Sequence, residues 1–285
     1  MYLILFLALG ITLASCNKDD DPTSLNLNIS GLEDLGASAQ YEGWIMVNGS
    51  PMTTGTFNVD ANGNLSRTSF PIEEGTLNGA TAFILTIEPN PDNDPAPSDI
   101  HILAGDFSGS SANLSIGHGA ALGTTFETAA GEFILATPTD GTMNDEESGV
   151  WFLDPAGPSP TLDLPVLPAG WVYEGWAVIN GSPVTTGKFT SPMGADMSSI
   201  YSGPNAGPPF PGEDFLQNAP AGLTFPVDLR GGAAVISIEP SPDNSPAPFV
   251  LKPLVGMIDQ AAAVHTLLGM NNNAVATNPT GTASR

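Results

Sequence analysis

Residues 41–57 read Tyr41-Glu42-Gly43-Trp44-Ile45-Met46-Val47-Asn48-Gly49-Ser50-Pro51-Met52-Thr53-Thr54-Gly55-Thr56-Phe57. Asn-Gly between two apolar-patterned runs is the strongest short-range sign of a β-hairpin, because the two-residue turn needs positive φ at both central positions. The stretch predicts a strand over 41–47, a turn at Asn48-Gly49 and a returning strand over 52–59, with Gly55 at a bulge. The same text returns 132 residues later as Tyr173-Glu174-Gly175-Trp176, Asn180-Gly181-Ser182-Pro183, Thr185-Thr186-Gly187 and Phe189. Register kept across separate blocks marks an internal repeat and not chance composition.

Outward from the hairpins the repeat continues. Ile87-Glu88-Pro89, Pro91-Asp92-Asn93 and Pro95-Ala96-Pro97 return as Ile238-Glu239-Pro240, Pro242-Asp243-Asn244 and Pro246-Ala247-Pro248, now at an offset of 151. The second copy thus carries 19 additional residues, within the Pro/Gly-rich stretch 191–226. Leu25, Leu27 and Ile29 alternate with Asn26, Asn28 and Ser30, the period-two pattern of a half-buried strand. Further strand-like runs lie at 80–87, 99–104, 112–116 and 132–137, and in the second copy at 233–238 and 249–255; only 260–268 reads as helical. Short strands between Gly, Pro and Asn turns predict an all-β fold of two tandem β-sandwich domains, 25–140 and 141–285, divided in the polar segment 140–147. Each copy has the size of an independent domain and is expected to fold on its own. In the alternative arrangement the copies share one continuous sandwich, and 132–137 lies beside 150–153.

Lys and Arg number 6 against 30 Asp and Glu, a net charge of −24. That deficit removes the basic footprint that nucleic acid or anionic lipid requires. It predicts diffuse attraction for cations without a dedicated metal cage. Gly at 32 and Pro at 27 make the chain turn-rich, while 41% hydrophobic residues are enough to build a core.

The first residues carry a different signal. Residues 2–14 form an apolar run that ends in Ala14-Ser15-Cys16. It is shorter than the roughly 20 residues of a membrane span and reads as a signal-peptide core. Leu13-Ala14-Ser15-Cys16 resembles the bacterial lipobox, which implies cleavage before Cys16 and lipidation of that residue, with 1–15 as signal peptide and 16–24 as an acidic tether. Cys16 is the only cysteine, so an intramolecular disulfide is excluded. No Lys or Arg precedes it, a departure from the basic start of such peptides. Asn17-Lys18-Asp19-Asp20-Asp21 resembles the surface-export signal of Bacteroidota lipoproteins. The expected location is therefore the cell envelope, as an outer-membrane lipoprotein held through the lipid on Cys16 and displayed at the surface.

Tyr41-Glu42-Gly43-Trp44, Thr53-Thr54-Gly55-Thr56-Phe57, Ala82-Phe83-Ile84-Leu85-Thr86-Ile87-Glu88-Pro89 and Pro95-Ala96-Pro97 occur in an order that resembles the extracytoplasmic domain of anti-sigma-K factors. The resemblance spans most of each copy. In that family a membrane helix and a cytoplasmic sigma-binding segment precede the domain, whereas here the domain follows the lipobox. The resemblance implies envelope sensing or protein interaction, without direct capture of a cytoplasmic sigma factor.

No constellation of catalytic residues emerges. Tyr41, Trp44, Tyr173 and Trp176 read as core rings and not as a sugar platform, since positions three apart on a strand point to opposite faces. Glu88 and Glu239 read as carboxylates that satisfy turn amides; Asp92 and Asp243 are the nearest second acids, and no spacing builds a cleft around a pair. Asp92-Asn93-Asp94 reads as a turn and not as a Ca²⁺ site, which wants about six to eight oxygens. His101, His118 and His265 have no metal-ligand spacing, and no Gly-x-Ser-x-Gly elbow or phosphate loop is present. The chain is thus expected to be no enzyme and to hold no cofactor or metal. Tyr201, Phe210 and Phe215 in the insertion read first as rings packed between the copies and alternatively as an interaction loop, and the expected partner is an envelope protein or, alternatively, a glycan. Substituting Cys16→Ser is expected to release the protein from membranes into the soluble fraction, measured by fractionation of cells.

Overall fold

A computed structural model describes residues 22–141, 144–243 and 245–285; Cys16 and the lipobox lie outside them. In chain order come β1 (Pro22–Ser30), β2 (Ala39–Val47), β3 (Ser50–Phe57), β4 (Ser69–Glu73), α1 (Glu74–Asn78), β5 (Ala80–Pro89), β6 (His101–Ser108), β7 (Ser111–Ser115) and β8 (Ala130–Leu135). There follow β9 (Gly149–Trp151), β10 (Leu162–Asp163), β11 (Trp171–Ile179), β12 (Ser182–Phe189), β13 (Gly212–Asp214), β14 (Ala233–Pro240), β15 (Leu254–Met257), β16 (Leu268–Gly269), β17 (Asn271–Asn272), α2 (Ala274–Thr277) and β18 (Thr280–Ser284). The chain is all-β, as its turn-punctuated sequence predicts.

The hairpins form for the reason read from Asn-Gly. Asn48 and Gly49 take φ of 51° and 79°, and Asn180 and Gly181 take 52° and 81°. β2 pairs with β3 from Val47↔Ser50 to Tyr41↔Phe57, and β11 pairs with β12 from Ile179↔Ser182 to Tyr173↔Phe189. Both ladders shift register at the same place, between Gly43 and Trp44 and between Gly175 and Trp176, which leaves Thr54 and Thr186 as the extra residues beside the expected bulge glycines. Tyr41 stacks on Phe57 and Tyr173 on Phe189, each at 5.6 Å between centroids. Each tyrosine hydroxyl donates to a carbonyl eight residues upstream, Glu33 O and Pro165 O.

Three antiparallel sheets result, in the orders β3-β2-β5-β6-β7-β18-β1-β4, β12-β11-β14-β15-β17, and β10-β8-β9-β13 with β16 also on β8. One contiguous apolar cluster draws residues from all three, among them Leu25, Tyr41, Phe83, Phe133, Phe152, Tyr173 and Leu254. The division expected at 140/141 does not coincide with these sheets. β18 ends the second segment yet pairs with β1 and β7 of the first, from Asn26↔Ser284 to Ser30↔Thr280 and from Ser115↔Thr280 to Ser111↔Ser284. β8 pairs with β9 through Ile134↔Trp151 and Leu135↔Val150, the neighbour relation that the shared arrangement requires.

The polar segment 140–147 is tied down as well. Glu146 is buried, accepts the Thr137 N–H at 3.0 Å, and lies 2.8 Å from His265 Nε2. The helix expected over 260–268 is absent: His265 takes φ of 54° in a turn, and its N–H donates to Leu135 O. A left-handed residue cannot continue a right-handed helix.

The three aromatic rings of the insertion turn inward. Tyr201, Phe210 and Phe215 are 8%, 9% and 0% exposed. Tyr201, Phe215 and Phe225 pack as a ring cluster at 5.5–5.8 Å, while Phe210 joins Ile134, Trp151 and Leu153. The inserted residues also supply β13, whose Asp214 accepts from Thr139 N–H at 2.8 Å and Trp151 Nε1 at 2.6 Å. Aromatic rings in a loop are buried wherever a neighbouring surface can cover them. Expressed separately, residues 25–140 and 141–285 are expected to show no cooperative thermal unfolding by circular dichroism, because the first lacks β18 and the second lacks β8.

Candidate functional site

Two carboxylates of each copy sit beside each other by strand pairing. Glu42 lies opposite Thr86 and Glu174 opposite Ser237, while Glu88 and Glu239 stand two residues further on the same face. A relay follows in both copies. Trp44 Nε1 donates to Thr86 Oγ1 at 2.9 Å and Trp176 Nε1 to Ser237 Oγ at 2.7 Å. The hydroxyls donate onward to Glu88 Oε1 and Glu239 Oε1. These oxygens also accept loop amides at 2.9 Å, Ser98 N–H and Phe249 N–H, the turn-amide role read for both glutamates. Glu42 accepts from Thr53 Oγ1 and Glu174 from Thr185 Oγ1.

Beside Glu174 the second copy has a basic residue that the first lacks. Lys188 lies on β12 where the first copy has Thr56. Its Nζ is 2.9 Å from Asp243 Oδ2 and 3.9 Å from Glu174 Oε2, and it donates to Asp243 O at 3.0 Å. Burial pushes Glu239 up to about 7 against the hydrogen bonds from Ser237 and the Phe249 amide, and the charges of Asp243 and Glu174 push the same way. Burial also raises Glu174, against Thr185 and Lys188.

Both Glu-Pro strand ends open on one cleft of about 710 Å³. Glu88, Pro89 and Ser98–Ile100 line it from the first copy, Pro240–Asp243 and Phe249 from the second, and Glu33–Gly36 from the loop before β2. Gly170 lets the halves meet there. At φ of 83° it lies so close that a Cβ would sit 2.7 Å from Asp99 O, and its carbonyl accepts the Ser241 N–H. Burial pushes Glu33 up to about 7, with Lys252 opposing the shift.

The remaining sequence candidates disperse. Asp92 and Asp94 accept amides two residues on, from Asp94 and Ala96, as the turn reading requires. The histidines have separate partners: His101 Nδ1 lies 2.8 Å from Ala120 O, His118 Nε2 3.6 Å from Asp106, and His265 meets Glu146. Tyr201, Phe210 and Phe215 are core residues, and every Trp and Tyr among the described residues is buried, which leaves none of those rings free to stack on a sugar. Sequence reasoning missed Glu174 and Lys188. Glu174 stood inside the quoted Tyr-Glu-Gly-Trp, where its place opposite Ser237 was the available signal.

No family model, curated protein or solved structure matches the chain.

Glu33 and buried Glu213, which burial also pushes up to about 7, bind protons more tightly folded than at the ordinary 4.5. Their contribution to stability is full below about 4.5 and is lost as pH rises through about 7. The melting temperature is therefore expected to fall across that window, and Glu213→Gln to flatten the fall, measured by calorimetry over a pH series.

Proposed function

We propose that this chain is a non-catalytic, lipid-anchored outer-membrane lipoprotein, displayed at the cell surface, that senses or binds a protein segment bearing basic side chains. The cleft is the observation that carries the reading. Glu33, Asp34, Glu88, Asp99 and Asp243 line it, and no Lys or Arg is among the described residues that do. Its volume falls within the roughly 300–1,000 Å³ of ligand sites. Asp34 and Asp99, which no described Lys or Arg meets in an ion pair, hold negative charge in low-dielectric walls that focus the field and favour a cation. Leu35, Ile87, Ile100 and Phe249 add an apolar wall. A lysine or arginine stem buries against such a wall while its head reaches the carboxylates.

The lipobox at Cys16 supports the anchor, and the anti-sigma-K resemblance supports a role in extracytoplasmic sensing that needs no chemical step. The test is fluorescence anisotropy of the soluble Cys16→Ser chain with a labelled lysine-rich peptide and a matched glutamate-rich peptide. Saturable binding of the basic peptide alone is expected, weakened by salt and, by roughly three- to tenfold, by Asp34→Asn with Asp99→Asn. Equal binding of both peptides, or indifference to the double substitution, overturns the reading.

A further inference from the structure

At the end of β14 the second copy gathers three carboxylates around one ammonium. Glu174 and Glu239 are 4% and 0% exposed, and one oxygen from each, with one from Asp243, lies within 4.8 Å of the others. Among the described residues, Glu174 Oε2 and Glu239 Oε2 have no hydrogen-bond partner, a costly state for buried carboxylates. Asp243 Oδ2 is met, among the described residues, only by the Lys188 ammonium, at 2.9 Å. That ammonium also holds Asp243 O but approaches Glu174 Oε2 no closer than 3.9 Å. It stands at the edge of an all-oxygen cluster whose deepest oxygen, on Glu239, it leaves unmet.

We propose that Glu174, Glu239 and Asp243 form a divalent-cation site, for calcium by the chemistry of its donors, and that Lys188 is its resting counterion. Calcium takes hard oxygens at about 2.3–2.6 Å, tolerates irregular geometry and completes its shell with water. Oxygens that all lie within 4.8 Å of one another are close enough to share one such ion. Zinc prefers nitrogen and sulfur, and magnesium a near-ideal octahedron, so neither suits this set as well. Asp243 lines the cleft and gives water a route in. Lys188 is 30% exposed, so its flexible stem can swing outward. Asp243 O is then released as a fourth donor. Fully ionised, the three carboxylates outweigh the Lys188 ammonium beside them and the Lys252 ammonium whose charge reaches Glu239, which leaves net negative charge for a cation to offset. Thr56 stands at the Lys188 position of the first copy, whose hairpin has the same register, so the fold does not need the ammonium.

The site shares Asp243 with the cleft, but its test uses the full chain without any peptide, so that failure of the cation site and failure of the peptide reading are distinguishable. Thermal unfolding is measured in CaCl₂ and in NaCl of matched ionic strength for the wild type, Lys188→Thr and Asp243→Asn. In the wild type calcium is expected to raise the melting temperature saturably beyond NaCl. Removing the competing ammonium in Lys188→Thr is expected to lower the half-saturating calcium concentration by roughly tenfold or more, and Asp243→Asn to raise it. The proposal is overturned if NaCl reproduces the whole CaCl₂ effect in wild type and Lys188→Thr alike, or if Lys188→Thr leaves the half-saturating concentration unchanged. Lys188→Thr removes no ligand, so it keeps the test decisive should Asp243→Asn fail to fold.

Discussion

Thr280–Ser284 hydrogen-bonds to β1 on one side and to β7 on the other, and the largest sheet depends on that double pairing. Without this strand the order β3-β2-β5-β6-β7-β18-β1-β4 falls into a five-stranded piece and a two-stranded remnant. An isolated strand pair is marginal in water, so β1 and β4 need the closing strand to hold them over the core. Arg285 fastens its end, donating to Leu77 O at 2.6 Å, Ala80 O at 2.8 Å and Gly109 O at 3.0 Å, with its guanidinium 4.5 Å from the Phe107 ring. The two ends of the described chain thereby lie side by side, and the second copy cannot leave the first without opening a sheet.

The relays act within that frame. In each relay the N–H of Trp44 or Trp176 meets a hydroxyl, which turns its own hydrogen toward a glutamate, which in turn accepts a loop amide. A buried polar group is tolerable when such a chain satisfies it, and the same chain ties β2 to β5, or β11 to β14, and both pairs to the loops that line the cleft. Glu239 keeps one oxygen outside this scheme. Holding its proton toward neutral pH is one answer to that orphaned oxygen; a nearby cation is the other.

The local half of this fold was legible because its causes are local. Asn-Gly requires positive φ wherever it turns a hairpin, and alternation in Leu25, Leu27 and Ile29 places one face inward whatever β1 pairs with. What escaped depends on distant partners. Nothing in Thr280-Gly281-Thr282-Ala283-Ser284 has the apolar pattern of a central strand, since only Ala283 among them is buried. β13 was hidden in a Pro/Gly-rich stretch, because three residues pairing with β9 leave no periodicity to read. Ala261-Ala262-Ala263 favours helix by composition, and the turn at His265 overrides it. Lys188 has no local signal, because its partner Asp243 lies 55 residues away along the chain.

The same spatial logic explains how a chain with so few cations uses them. Of the six Lys and Arg, Lys18 lies outside the described residues. Arg67 stacks 4.6 Å over Phe70 and donates to Ser69 O. Arg230 forks onto Asp228 and reaches Glu147 at 3.8 Å. Arg285 caps carbonyls, Lys188 serves Asp243, and Lys252, pulled down by burial, feels the charges of Glu33 and Glu239. Among the described Lys and Arg side chains, Lys188 and Arg230 reach carboxylates within 3.9 Å, while Arg67 and Arg285 meet rings and carbonyls. The acidic surface is left without counterions of its own, and a field of one sign that the chain does not neutralise internally is neutralised by what it meets outside.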